Sequence, residues 1–271
     1  GIRGAAIGTV VARCFELGIY LAWILRASRR DHLPLWSTCT IDRGLLKQFL
    51  RFGVPSGLHY FVDISGFTMF LLIVGNLNNQ ALAATNIAFS INGLIFVPLL
   101  GFGTAIQTVV GHNIGAGRID SAKATTRNAA FMGVAWTGTM GIILVLFPEV
   151  LLRPFFLLAN PATSGGTDIA ALAKTAAYLL NFVAAYSVFD ALAVVFSSAL
   201  RGAGDTVFPM LITLFSSWMI MVVPALLIIR SDHASIPALW LTCTAHISFS
   251  GICMFLRYLS GRWQRIHLVD A

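Results

Sequence analysis

The sequence predicts an all-α fold: a polytopic membrane helix bundle with seven transmembrane helices. Three observations predict it. The chain of 271 residues is 57% hydrophobic and only 11% charged, with a mean hydropathy of +0.81, whereas a soluble domain carries about 25% charged residues. So few charges cannot cover a water-facing surface, and lipid is the solvent such a composition fits. Seven apolar stretches are long enough to cross, given that about 20 helical residues span the hydrocarbon. The basic residues then collect in alternate connections, the layout of cytoplasmic loops.

The first span covers residues 5–26, where Arg13 and Glu16 stand three apart and can pair on one helix face. Residues 27–49 form the longest polar connection. Its charges and Pro34 predict a cytoplasmic linker with a surface helix near 41–49. Six spans follow, at 50–75, 82–110, 123–148, 170–199, 206–229 and 236–258. Pro55, Pro98 and Pro224 fall inside spans, which is tolerated where neighbouring helices re-satisfy the freed backbone groups. Gly101 and Gly103 permit close helix approach or local bending, and Gly111, Gly115 and Gly117 suit the turn after that span. The expected division is one helix (1–26), a linker (27–49) and a bundle of six spans (50–271).

Orientation follows from Lys and Arg. Thirteen lie in segments 26–51, 111–127 and 200–206 and in the tail, against three (Arg153, Lys174 and Arg230) on the other side. The positive-inside rule then puts the N-terminus outside and the C-terminus in the cytoplasm. The net charge of +7 belongs to these loops, and no nucleic-acid partner is expected. Cys14, Cys39, Cys243 and Cys253 form no CxxC pair and read as buried spectators. The opening GIRGAAIGTV has neither an initiator methionine nor a basic region before its apolar run. It does not read as a signal peptide, and the chain is expected to be a piece of a longer protein.

Of the eleven acidic residues, Glu16, Asp63 and Asp190 fall well inside spans. Glu16 has Arg13. Asp63 shares a helix face with His59 at i−4, and no basic residue lies within about a turn of it. Tyr186 likewise stands four residues before Asp190, while Arg201 is eleven residues beyond, too far along the helix to neutralise it. A charge near the bilayer centre costs about 2.5–3.5 kcal/mol on insertion scales. Two readings meet that cost. Each acid is protonated and hydrogen-bonded within the bundle, or both line a water-accessible cavity and bind a cation. Two unpaired acids on separate helices favour the second. His59 and Asn86 are candidates for lining the cavity.

The stretch QALAATNIAFSINGLIFVPLLGFGTAIQTVVGHNIGAGRIDSAKATTRNAA (80–129) resembles the multidrug and toxic compound extrusion (MATE) family, in its LAA-containing helix, its G-x-G-x-A run and its V-G-x-x-I-G-A-G segment. GIRGAAIGTVVAR resembles the start of that family's sixth helix, and FDALAVVFSSALRGAGDTVFPM its tenth-to-eleventh helix junction. The resemblance implies two lobes of six helices, of which this chain would be the last helix of the N-terminal lobe (1–26), the interlobe linker (27–49) and the six-helix C-terminal lobe (50–271). The N-terminal lobe of the same polypeptide would be its missing partner. It further implies a cation-coupled multidrug efflux antiporter, exporting amphipathic, often cationic drug-like compounds by alternating access across a bacterial inner membrane, in contact with membrane lipids. In the NorM-like branch an acid on the seventh helix and a tyrosine and aspartate on the tenth bind the coupling cation, and Asp63, Tyr186 and Asp190 match those positions. Asp63 departs from the usual glutamate, and its shorter reach leans the reading towards H⁺ over Na⁺. No cofactor beyond the coupling ion is implied, and no firm metal site.

Other classes fit less well. A seven-helix receptor agrees with the span count, but Lys47, Lys123 and Lys174 offer no mid-membrane Schiff-base lysine in the last span. A lipid-linked oligosaccharide flippase of the same superfamily should want several cations facing its cavity, and Arg13 reads as the only clearly mid-span base. No enzyme is expected, since the sequence has no HExxH or GxSxG motif and its glycine-rich stretch lacks the GK[ST] of a phosphate loop. His59, His112 and His246 read as scattered hydrogen-bonding residues.

Overall fold

Helix follows helix along the chain, as a bilayer requires: in hydrocarbon every backbone polar group must be satisfied within its own segment. A computed structural model describes residues 2–31, 42–157, 169–231 and 234–265. The helices are α1 (Ile2–Asp31), α2 (Arg43–Gly75), α3 (Asn79–Gly115), α4 (Ile119–Leu146), α5 (Pro148–Leu157), α6 (Ile169–Gly202), α7 (Val207–Phe215), α8 (Val223–Ile229) and α9 (Ile236–Leu259). A π-helical stretch, Ser216–Val222, joins α7 to α8, and a 3₁₀ turn, Arg262–Arg265, follows α9. Seven helical segments among the described residues are long and apolar enough to cross a membrane: Ala6–Ser28, α2, α3, α4, α6, Val207–Ile229 and α9. Each coincides with an expected span, with ends moved by a few residues.

The chain divides into two units, Gly1–Leu50 and Arg51–Ala271. In the first, Arg13 and Glu16 of α1 pair at 2.7 Å, as expected. Cys14 is exposed and Cys253 of the second unit only half-buried, which corrects the expectation of burial for both, while Cys243 is buried and Cys39 lies outside the described residues. Most of the expected linker, 32–41, is also outside them. The surface helix expected near 41–49 does not stand alone: it is the start of α2, which runs unbroken from Arg43. The Asp42 carboxylate accepts from the Gly44 N–H at 2.7 Å, satisfying a backbone donor that the helix start leaves free.

In the second unit α6 is the central element, packed against α3, α4 and α9. Small residues bring the backbones together. A Cβ on Gly251 of α9 would collide with the carbonyl oxygen of Phe189 on α6, and one on Gly202 of α6 with that of Gln107 on α3. Close backbone approach of this kind is the main attraction between helices in lipid, where no hydrophobic effect separates helix from solvent. Gly103 fits the expected pattern, since a Cβ there would stand 2.8 Å from Ser198 Oγ, but Gly101 has nothing within 4 Å. Gly111 belongs to the helix and not to the turn, and packs against the Gly202 carbonyl; Gly117, with φ of 72°, makes the turn.

Polar links tie the helices across their faces. Trp240 Nε1 of α9 donates to Thr85 Oγ1 of α3 at 3.2 Å, and Trp136 Nε1 of α4 to the Ile95 carbonyl at 3.2 Å. At the α6–α7 turn Gly204 takes a φ of 87°. Beside it Asp205 accepts from Arg257 Nε of α9 at 2.8 Å, and the same guanidinium lies 4.7 Å over the Phe208 ring. The π-helical turns precede Pro224, which has no N–H and whose ring crowds the carbonyl before it. The Val223 N–H reaches back to the Trp218 carbonyl instead, a five-residue step.

These contacts separate two glycines of similar sequence context. Gly251→Val should lower stability by about 1–3 kcal/mol or more, because the added carbons force two backbones apart. Gly101→Ala should be neutral or stabilising by up to about 1 kcal/mol. Thermal unfolding of the purified variants checks both, and equal effects would contradict the packing described.

Candidate functional site

Along α6 the residues Asp190, Val194, Ser197 and Arg201 recur every three or four positions, so they share one face. That face closes one side of a cavity of about 380 Å³. α2 closes another with His59, Tyr60, Asp63 and Phe67, and α9 a third with His246 and Ser250. Thr213 from the end of α7, Asn92 from α3, Thr68 of α2 and Ser198 of α6 complete the polar lining. The rest is apolar, including Phe89, Phe96 and Met254. An apolar cavity with a few convergent polar groups is the usual form of a small-molecule site.

The sequence-predicted residues divide. His59, Asp63 and Asp190 all line this cavity. The two acids therefore meet one space from different helices, and the Asp63 side chain stays 33% exposed to it. Tyr186 stands behind them: it is buried, it is not part of the lining, and its hydroxyl has no hydrogen-bond partner among the described residues. Asn86 does not line the cavity and is exposed elsewhere on α3. Asn92 takes that place; six residues further on, it faces about a third of a turn away.

Two cavity residues escaped the sequence reading. Arg201, counted with the loop residues, is buried and turns inwards: Nη1 lies 3.2 Å from His59 Nδ1, Nη2 donates to Ser198 Oγ at 3.2 Å, and the guanidinium sits 4.9 Å over the Tyr60 ring. Because arginine only donates, His59 Nδ1 acts as the acceptor in this contact. Arg13 is thus not the only base within a span. His246, read as a scattered single, is buried with Nε2 3.9 Å from the Asp63 carboxylate. Asp63 does have basic neighbours, but they come from α6 and α9. The sole sequence signal was the i+11 spacing of Arg201 from Asp190, which is three helical turns and keeps both on one face.

The chemistry of the cavity is that of two carboxylates beside an arginine and two histidines. Two carboxylates facing one cavity repel when both are ionised, and a shared proton relieves the repulsion. A small hard cation would find oxygen ligands in Asp190 and Asp63, and the orphaned Tyr186 hydroxyl is the kind of buried oxygen that a cation or water satisfies. Arg201 and His246 bring a positive and a protonatable group to the same space, which raises the cost of placing a further fixed cation there.

The cavity should admit water while Tyr186 should not see it. With the native cysteines replaced, Asn92→Cys should react with a charged methanethiosulfonate reagent at least about tenfold faster than Tyr186→Cys. Equal rates would place both residues in the same environment and contradict the geometry.

The MatE family model matches residues 55–227. Among curated relatives, the probable multidrug resistance protein NorM of Thermotoga maritima is 28% identical over 271 residues, covering 98% of this chain and 54% of the relative. The multidrug resistance protein PmpM of Pseudomonas aeruginosa is 33% identical over 217 residues, covering 79% of this chain and 43% of the relative. The chain therefore spans about half the length of the curated relatives it matches. A solved structure described as the outward-facing conformation of a multidrug resistance MATE family transporter of the MOP superfamily superposes with a TM-score of 0.74 at 17% identity, over 85% of this chain and 50% of that one. An inward-facing structure of such a transporter gives 0.67 over 86% and 51%. At that identity the likeness bears on the fold alone.

Proposed function

This chain belongs to the MatE family, and on that premise we propose that it forms one lobe of a multidrug efflux antiporter, with Asp63 and Asp190 carrying the coupling cation. The observation that carries the proposal is the convergence of two acids from α2 and α6 on one apolar cavity. Relatives named as multidrug resistance proteins support the transport class. The apolar and aromatic lining suits amphipathic compounds, and the carboxylates suit those that carry a positive charge. A companion lobe would complete the substrate path, with the N-terminal end of this chain outside and the C-terminal end in the cytoplasm, as the basic loops indicate.

Coupling then needs only competition. A proton on the acid pair neutralises the cavity and weakens its hold on a cationic compound; loss of the proton restores it. If proton and substrate favour different arrangements of the two lobes, exchange becomes a shift of population between inward- and outward-open states. Protons are favoured over Na⁺ because Arg201 and His246 share the space and Asp63 is short. The flippase reading gains little from Arg201, since a single buried guanidinium does not make the cluster of cations a large anionic lipid-linked sugar would need.

In the full-length transporter, Asp190→Asn should abolish ion-driven efflux with expression unchanged, because a neutral amide costs less in the membrane than a carboxylate. Efflux into vesicles should follow an imposed pH gradient with sodium absent. Unaltered efflux by Asp190→Asn would remove Asp190 from the coupling step, and transport that needs a sodium gradient and ignores pH would replace the proton.

A further inference from the structure

A second cavity, about 660 Å³ in volume, opens where the first turns of α4 meet the last turns of α9. Its two walls differ in chemistry. On α4, Lys123 and Arg127 stand four residues apart on one face, both exposed. Opposite them the wall is aromatic: the Phe196 ring of α6 lies 5.1 Å from Phe255 and 5.1 Å from Tyr258, both on α9. Tyr258 in turn stacks on Trp263 at 5.1 Å and 13°. Trp263 is buried, and its indole N–H donates to the Tyr258 carbonyl at 3.0 Å, so this wall is held in place from behind.

The cations are not satisfied by the protein. Arg127 has no ion-pair or hydrogen-bond partner among the described residues. Lys123 reaches only Asp120, at 4.0 Å, and that carboxylate is fully solvent-exposed on the rim of the same cavity. Leu259, at the end of α9, and Phe255, one turn earlier, line the same cavity and are 62% and 36% exposed.

We propose that this cavity binds an anionic phospholipid, with the phosphate diester on Lys123 and Arg127 and an acyl chain along Phe196 and Phe255. Two cations against one acid make the rim complementary to a single negative charge, and basic pockets between membrane helices are suited to lipid head groups. A soluble phosphate would use the rim alone. The apolar wall beside it, which includes the exposed Phe255 and Leu259 of a membrane-spanning helix, selects a molecule that has both a charged head and a tail. Tyr258 lies in the last turn of the spanning helix α9 and Trp263 just beyond it, and the ends of such helices are where amphipathic rings collect.

Native mass spectrometry of the purified full-length transporter tests this, with phosphatidylglycerol and phosphatidylcholine of matched chains and with glycerol 3-phosphate as the head group alone. The wild type should retain phosphatidylglycerol in preference to phosphatidylcholine. The double variant K123Q/R127Q should bind phosphatidylglycerol about thirtyfold more weakly, with phosphatidylcholine unchanged. Both side chains are exposed, so the variant should fold. Phe255→Ala should weaken phosphatidylglycerol as well, whereas binding that ignores Phe255, or displacement by glycerol 3-phosphate, would reduce the site to a bare phosphate rim and overturn the lipid assignment. Undiminished phosphatidylglycerol binding by the double variant would overturn the site itself.

Discussion

The approach of α6 to α3 and α9 at backbone distance holds the rest of the structure in place. It depends on Gly202 and Gly251, where a single added carbon would meet a carbonyl of the neighbouring helix. With α3, α4 and α9 packed around it, α6 turns one further face towards the cavity that α2 also lines. That face carries Asp190 and, three turns later, Arg201. Lipid offers no hydrophobic gain for burying one apolar helix against another, so these contacts, with the Trp240–Thr85 hydrogen bond and the Asp205–Arg257 pair, set which side chains meet.

The electrostatics of the cavity follow from that packing. Each acid on its own helix would be a costly isolated charge in the membrane. Brought together with His246 and Arg201, they form a group in which gain or loss of one proton, or entry of one cationic compound, changes the balance of charge. Arg201 is held towards His59, Ser198 and the Tyr60 ring, none of which bears a negative charge. The guanidinium makes no direct ion pair with either carboxylate and acts on Asp63 through space. The Tyr186 hydroxyl, buried and unpartnered behind them, is a further oxygen that could turn towards a bound water or ion.

Hydropathy and length made the spans legible, because the bilayer constrains every residue of a crossing helix in the same way. Asp63 and Asp190 were legible for the same reason: a carboxylate in a crossing segment stands out against its surroundings. Arg201 and His246 were not, since their roles arise from which helix lies opposite, and a single sequence does not encode that pairing in any local pattern. Asn86 shows the limit from the other side. It is polar and mid-span, but only the rotation of α3 decides whether it or Asn92 faces the cavity. The π-helical turns of Ser216–Val222 likewise depend on Pro224 together with the close packing of Ser217 on Gly66, of which the proline alone was visible. The MATE resemblance supplied the expected order of the helices and the expectation that the acids bind a coupling cation; periodicity did not.

In the proposed coupling, a proton and a substrate compete for one acid pair. Its most direct test is the number of protons released when the purified full-length transporter binds a cationic substrate in weakly buffered solution, followed with a pH-sensitive dye. Competition of this kind predicts release of about one proton per substrate bound, lost in Asp190→Asn. Tight binding by the wild type with no proton released would contradict it.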